Sequence, residues 1–320
     1  MRLIRSVSQL ASALEAERRS GRDIALVPTM GGLHAGHLSL LAQARDTGRT
    51  VVLSIFVNPT QFDDPADLER YPRPLERDLQ LAEAEGAELV LLPSVGEMYP
   101  PPDIIRVRAS GPLVELWEGA SRPGHFDGAL TVVGRLFGMA GSCRAYFGEK
   151  DFQQLRLVTR LAEEMFPLVE VVPCPIVREQ DGLACSSRNA LLPAADRSAA
   201  SVIHEALLVG RDAASSGEDV ASVERAVRSC ILKEARADVD YVGVVRPGDL
   251  TPADGLAAEM RILVACRFGP VRLIDNIGVV RGGPAGSLPD GQPRATAVRS
   301  GDPSSVANPD PSPSTSPGAA

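Results

Sequence analysis

The chain has 320 residues, 44% of them hydrophobic and 23% charged, and a net charge of −8. That profile is of an ordinary globular protein with ample core, long enough for two domains or one large one. It excludes a general nucleic-acid binder, because no Lys/Arg block is present to neutralise a run of phosphates, and no apolar run approaches the roughly 20 residues of a membrane span.

The opening segment, MRLIRSVSQLASALEAERRSG, has polar breaks and the acids Glu15 and Glu17. It predicts an amphipathic helix, not a signal or transit peptide, and hence a cytoplasmic protein. The five cysteines are odd in number, widely spaced and without a Cys-x-x-Cys pair. Reduced, mostly buried thiols are expected, with neither a disulfide framework nor a zinc site.

DIALVP (23–28) reads as a strand, followed by a glycine-rich turn and a helix from about His37. Two of the four histidines, His34 and His37, flank Gly36 at that turn. The first N–H groups of a helix lack internal partners and carry partial positive charge, so anions collect there. A His-x-Gly-His pair adds two donors for a phosphate, and Gly36 admits a close backbone approach. A turn with two solvated histidines fits the bare string as well.

TVVLSIFV (50–57) is the next strand, and NPTQFDDPADLERYP (58–72) reads as a loop. Asn58 and Gln61 there suit a neutral polar ligand group, although Asn-Pro is also a common turn opener. RPLERDLQLAEAEGA (73–87) is helical in pattern, with Asp78 either on a solvated face or at a metal. ELVLLP (88–93) is again strand-like. RPGHFDG (122–128) places Arg122 and His125 around a glycine, as a carboxylate or phosphate clamp or as a plain loop. GALTVVGRLFGMA (128–140) predicts a buried helix and RAYFGEK (144–150) a strand running into a turn. Lys150 and Asp151 then open the helix DFQQLRLVTRLAEEM (151–165), where a lysine is well placed for a phosphate. LVEVVPCPIV (168–177) is a further strand. In REQDGLACSSRNALL (178–192), Ser186, Ser187, Arg188 and Asn189 offer a second oxyanion corner or an ordinary N-cap.

Short apolar strands alternating with helices predict a parallel sheet covered on both faces, with the ligand at the strands' carboxyl ends. From about residue 187 two helical stretches precede three strands, DYVGVVRPGDL, RILVACRFG and VRLIDNIGVV, as in a small α+β unit. His204 lies mid-helix and reads as structural. Residues 282–320, rich in Pro, Ser, Gly and Ala, are expected to be disordered.

In this order, PTMGGLHAGH, SIFVNPTQF, RYPR, RPGHF, FGEKDFQQL and DGLACSSRN closely resemble the pantothenate synthetase, or pantoate–β-alanine ligase, family. The resemblance runs from about residue 3 to residue 280. It implies an α/β fold: a Rossmann-like parallel-sheet domain (1–175) binding ATP and pantoate, a smaller α+β lid (176–281), and a homodimer. It implies that pantoate attacks the α-phosphate of ATP, giving pantoyl adenylate and pyrophosphate. The amine of β-alanine then yields pantothenate and AMP. The His-x-Gly-His motif alone is shared with nucleotidyltransferases that leave AMP on their product, and that remains the alternative.

The resemblance also assigns roles. His34, His37 and Lys150 would contact the phosphates of ATP, with Met30 and Gly36 shaping the approach. Ser186, Ser187 and Arg188 would hold the outer phosphates. Gly148 and Asp151 would frame the ribose and adenine, and Val177 would belong to the ATP-binding set. Gln61 and Gln154 would bind pantoate, with Asn58 and Arg122 on the β-alanine side. Asp78 would be the carboxylate nearest Mg²⁺. Cys185 stands where the family usually has methionine, and Arg77 precedes Asp78 where some members have a further acid.

Overall fold

The computed structural model describes residues 1–102, 105–255 and 257–280. The expected tail (282–320) lies outside them. Six strands form one parallel sheet: β1 (Arg2–Ile4), β2 (Ile24–Thr29), β3 (Thr50–Ile55), β4 (Leu89–Leu91), β5 (Cys143–Gly148) and β6 (Val169–Cys174), in the order β1-β4-β3-β2-β5-β6. The remaining three, β7 (Ala237–Val245), β8 (Glu259–Phe268) and β9 (Val271–Val280), form an antiparallel sheet.

Period-two alternation sorts each central strand onto two cores. Ile24 and Leu26 of β2 face one cluster, with Phe137 and Val158 from helices His125–Ala140 and Phe152–Met165. Ala25 and Val27 face the other, with Leu41 and Ala82 from helices Ala35–Arg45 and Leu75–Ala84. Burying each such large side chain contributes about 1.5–3 kcal/mol before entropy is counted. Helices Val202–Ser215 and Val220–Ile231 cover the antiparallel sheet with a third apolar cluster. His204 packs on Gly182, a structural position as expected.

Two local expectations need correcting. The N-terminal segment is not helix throughout: Arg2–Ile4 pairs with Leu89–Leu91 as a strand, and the helix spans Val7–Arg19, capped by Ser6. The stretch 58–72 is not a plain loop. It holds a 3₁₀ turn (Pro59–Gln61) capped by Asn58 and a helix (Pro65–Arg70) capped by Asp64. Both begin with proline, whose fixed φ suits a first helical position.

Strand order places the topological switch at β2. From it the chain builds towards β3 and β4 on one side and towards β5 and β6 on the other. Ligands of open parallel sheets sit outside the carboxyl ends of strands at such a point. His34 follows β2 and Lys150 follows β5, so the fold brings them to the same edge.

Candidate active site

A solvent-open cleft of about 1450 Å³ lies at that edge. Its lining includes Met30, His34, Gly36, His37, Gly148, Lys150, Asp151, Val177, Ser186, Ser187 and Arg188 from the expected nucleotide set. Gln61, Gln154 and Arg122 from the expected acid-binding set line it too. These residues come from six separate stretches of chain.

His34 is the N-cap of helix Ala35–Arg45, and its Nδ1 accepts the Gly36 N–H at 3.1 Å. That leaves Nε2 as the protonated nitrogen of the neutral ring. Gly36 makes the cap possible: a Cβ there would come within 2.9 Å of the His34 ring. His37 stacks on His34 with centroids 4.0 Å apart. Burial, with Lys150 nearby, pushes the His34 imidazolium down to about 4. Burial first, then His34 and Lys150, pushes His37 down to about 3. Both rings are uncharged near neutrality, so what they offer a ligand is an N–H dipole and not a charge.

Positive charge in the cleft therefore rests on Lys150, Arg122 and Arg188. Arg188 is committed to Asp67 at 2.7 Å, and Arg122 to Asp63 at 3.1 Å. Lys150 has Asp151 at 3.5 Å. The hydroxyl of Ser187 meets that of Tyr71 at 3.0 Å, and Ser186 Oγ accepts the Arg188 N–H at 3.3 Å, capping the turn Ser187–Leu191.

Gln61, also in the lining, is aimed by its neighbours. Asn58 donates from Nδ2 to Gln61 Oε1 at 3.0 Å and to the Gly128 carbonyl at 3.1 Å. Its Oδ1 accepts from Thr60 N–H, Thr60 hydroxyl and Tyr99 hydroxyl. Because a carbonyl only accepts and a backbone N–H only donates, the Asn58 amide has one allowed orientation. Gln61 Oε1 is consequently turned towards Asn58, and its NH₂ group donates to Met30 Sδ at 3.0 Å, a weak acceptor that a ligand oxygen can replace. The turn fits under helix His125–Ala140 because Gly128 has no side chain: a Cβ there would sit 2.1 Å from the Thr60 carbonyl oxygen.

Two expected site residues stand behind the cleft wall and do not line it. Asn58, expected to shape the β-alanine side, is 1% exposed and orients Gln61. Asp78, expected near Mg²⁺, is also 1% exposed, and its two oxygens accept the N–H groups of Gly32 and Leu33, each at 2.8 Å. It is not a solvated helix face: both its oxygens are engaged in fixing the turn that leads to His34. Among the described residues no group of three or more His, Cys, Asp or Glu is arranged to hold a metal ion. Replacing Asp78 with alanine should strand the buried Leu33 amide and the half-buried Gly32 amide and destabilise the fold by about 2–4 kcal/mol. An unchanged urea midpoint would contradict that role.

His125, which the sequence marked beside Arg122 without a role of its own, and Tyr71, which it did not mark, also line the cleft. His125 lies in the RPGHFDG string beside Arg122, which was the available signal. Its Nδ1 donates to the Gln61 carbonyl at 2.7 Å. Burial, then Arg122, pushes it down to about 4, so Nε2 is free to accept from Arg122 Nη1 at 3.3 Å. His125 thereby ties Arg122 to the Gln61 turn. Val132, Val133 and Leu136, from one helix, contribute apolar lining to the cleft.

Comparison with known proteins places this cleft in context. A family model described as pantoate-beta-alanine ligase matches residues 2–278. Pantothenate synthetase from Thermus thermophilus is 47% identical over 279 residues, which are 87% of this chain and 99% of the relative. Its crystal structure matches with a TM-score of 0.82 over the same shares. Pantothenate synthetase from Acetivibrio thermocellus is 43% identical over 278 residues, 87% of this chain and 99% of the relative. The crystal structure of a pantoate-beta-alanine ligase from Francisella tularensis, complexed with beta-gamma ATP and beta-alanine, is 32% identical, with a TM-score of 0.74, covering 89% of this chain and 99% of that one. On sequence and fold alike, the chain belongs to the pantoate–β-alanine ligase family.

Proposed function

We propose that this chain joins pantoate to β-alanine with ATP, through a pantoyl-adenylate intermediate. One observation carries the reading: His34, His37, Lys150 and the Ser186–Arg188 corner line the same cleft as Gln61, Gln154 and Arg122, at the sheet's switch point. The Francisella tularensis relative's complex with beta-gamma ATP and beta-alanine supports the same pairing of ligands.

In the first step a carboxylate oxygen of pantoate attacks the α-phosphorus of ATP. The bond from that phosphorus to the β-phosphate oxygen breaks, and pyrophosphate leaves. The nucleophile is already ionised at neutral pH, so no general base is required. That agrees with histidines depressed to about 4 and 3, which are poor bases but serviceable N–H donors. Lys150 opposes the charge that builds on the α-phosphoryl group. In the second step the amine nitrogen of β-alanine attacks the acyl carbon. AMP leaves, and the new amide nitrogen loses a proton. The apolar lining of Val132, Val133 and Leu136 limits water near a hydrolysable acyl phosphate.

Mg²⁺ entering with the nucleotide would be held mainly by phosphate oxygens and water, with Asp78 the nearest carboxylate of the expected set, and would offset charge on the departing pyrophosphate. Gln61 and Gln154 bind pantoate, and Arg122 lines the β-alanine side. In the same reading residues 1–175 form the nucleotide- and pantoate-binding part and 176–281 a lid. The homodimer rests on the family resemblance. A cytoplasmic setting is supported by five cysteines that are all buried free thiols. Among the described residues no helix is long and apolar enough to cross a membrane.

The test is ATP–pyrophosphate exchange. It should require pantoate and proceed without β-alanine. Exchange that appears only when β-alanine is added would overturn the adenylate order. Free AMP together with an amide product separates this reaction from a nucleotidyltransferase that leaves AMP on its product.

A further inference from the structure

The turn that carries Lys150 is gripped from the antiparallel sheet. Asn276 of β9 is 2% exposed, and its Nδ2 donates to the carbonyls of Glu149 at 3.0 Å and Lys150 at 2.9 Å. Its Oδ1 accepts from Arg261 Nη1 at 2.6 Å. Two carbonyls that only accept and a guanidinium that only donates allow this amide a single orientation. Arg261 is itself fixed: it lies 3.6 Å over the Phe152 ring and pairs with Glu149 Oε2 at 3.2 Å. The neighbouring Asp275, 3% exposed, takes Arg178 in a two-pronged pair at 2.6 and 3.1 Å. Arg178 begins the hairpin that returns to Cys185 and the Ser186–Arg188 corner, and it donates to the Gly182 carbonyl at 3.0 Å. Consecutive residues of one strand thus hold the two stretches of chain whose side chains form the phosphate wall.

None of these contacts involves the Lys150 ammonium. They hold its backbone, and a side chain can be only as well placed as the backbone that bears it. A misplacement of about 1 Å in a positioned catalytic group can cost on the order of 10²-fold in rate. We propose that Asn276 is a positioning residue for Lys150: its two amide N–H bonds set where the ammonium meets the α-phosphoryl group. This rests on the role given to Lys150 above.

The test is a double-mutant cycle on the full-length protein, read as single-turnover adenylation with pantoate and ATP. Asn276→Ala should lower the rate about tenfold in the otherwise unchanged protein, and by less than about twofold where Lys150→Ala is already present. A merely structural residue would give the same factor in both backgrounds, and that result would overturn the proposal. So would an unchanged rate for Asn276→Ala. If Asn276→Ala does not fold, Asn276→Asp carries the same cycle. It is isosteric and keeps the acceptor facing Arg261, but sets an oxygen against two carbonyls. Lys150→Ala at the unaltered rate would instead sink the functional reading itself, so the two failures are distinguishable.

Discussion

Lys150→Ala should lower pantoate-dependent adenylation about 10²–10³-fold, the usual effect of losing one preorganised charge-stabilising donor. The reason lies in how charge is distributed around the cleft. His34 and His37 are neutral, and Arg122 and Arg188 are paired to Asp63 and Asp67. Among the described residues the ammonium has the longer 3.5 Å contact with Asp151 to exchange for a phosphoryl oxygen. The backbone of its turn is held by Asn276, so truncating the side chain should leave the fold unaltered. Near-ultraviolet circular dichroism establishes the fold, and single-turnover measurement of AMP-ester formation reads the effect. A loss below tenfold would remove Lys150 from the role.

Gln61→Glu should raise the KM for pantoate about 10²-fold while moving the KM for ATP less than about threefold. The Asn58 network presents the NH₂ group of Gln61 to the cleft. A carboxylate there removes the donor and brings an anion towards the carboxylate of the substrate. Two like charges about 4 Å apart at an effective dielectric near 20 repel by about 4 kcal/mol, so 10² allows for movement and screening. The split between the two KM values is the diagnostic. An ATP KM that rises equally would mean that Gln61 serves the nucleotide, and an unchanged pantoate KM would mean that its NH₂ group faces nothing that matters.

Much of the fold was legible because its causes are local. DIALVP, TVVLSIFV, ELVLLP and LVEVVPCPIV are short apolar runs bounded by polar or glycine-rich turns, and each contains a strand of the parallel sheet. GALTVVGRLFGMA is apolar on most sides, and it lies in the helix buried at the sheet's centre. Arg2–Ile4 escaped because a three-residue edge strand has too little pattern of its own. It is made by pairing with Leu89–Leu91, a partner far along the chain. Helices inside 58–72 were hidden by the proline and aspartate that also open turns; the same residues serve there as caps and first helical positions.

The polar residues divide differently. That His34, His37, Lys150, Ser186–Arg188, Gln61 and Gln154 share one cleft was anticipated from strings at strand ends, since a parallel sheet gathers those ends at one edge. What each polar atom does there was decided by tertiary structure. Asp78 turns inward to two amides, Asn58 stands behind Gln61, and His125 links Arg122 to the Gln61 turn. Sequence by itself determined the α/β class, the sheet's strands apart from Arg2–Ile4, the family and the stretches that meet at the cleft. These follow from periodicity, turn chemistry and a specific order of short strings. Only the tertiary structure decided the orientations of the amides, the charge state of the histidines and the anchoring of Lys150 by Asn276. A hydrogen bond is satisfied or lost over a few tenths of an ångström, and its partners here lie tens to more than a hundred residues apart in the chain.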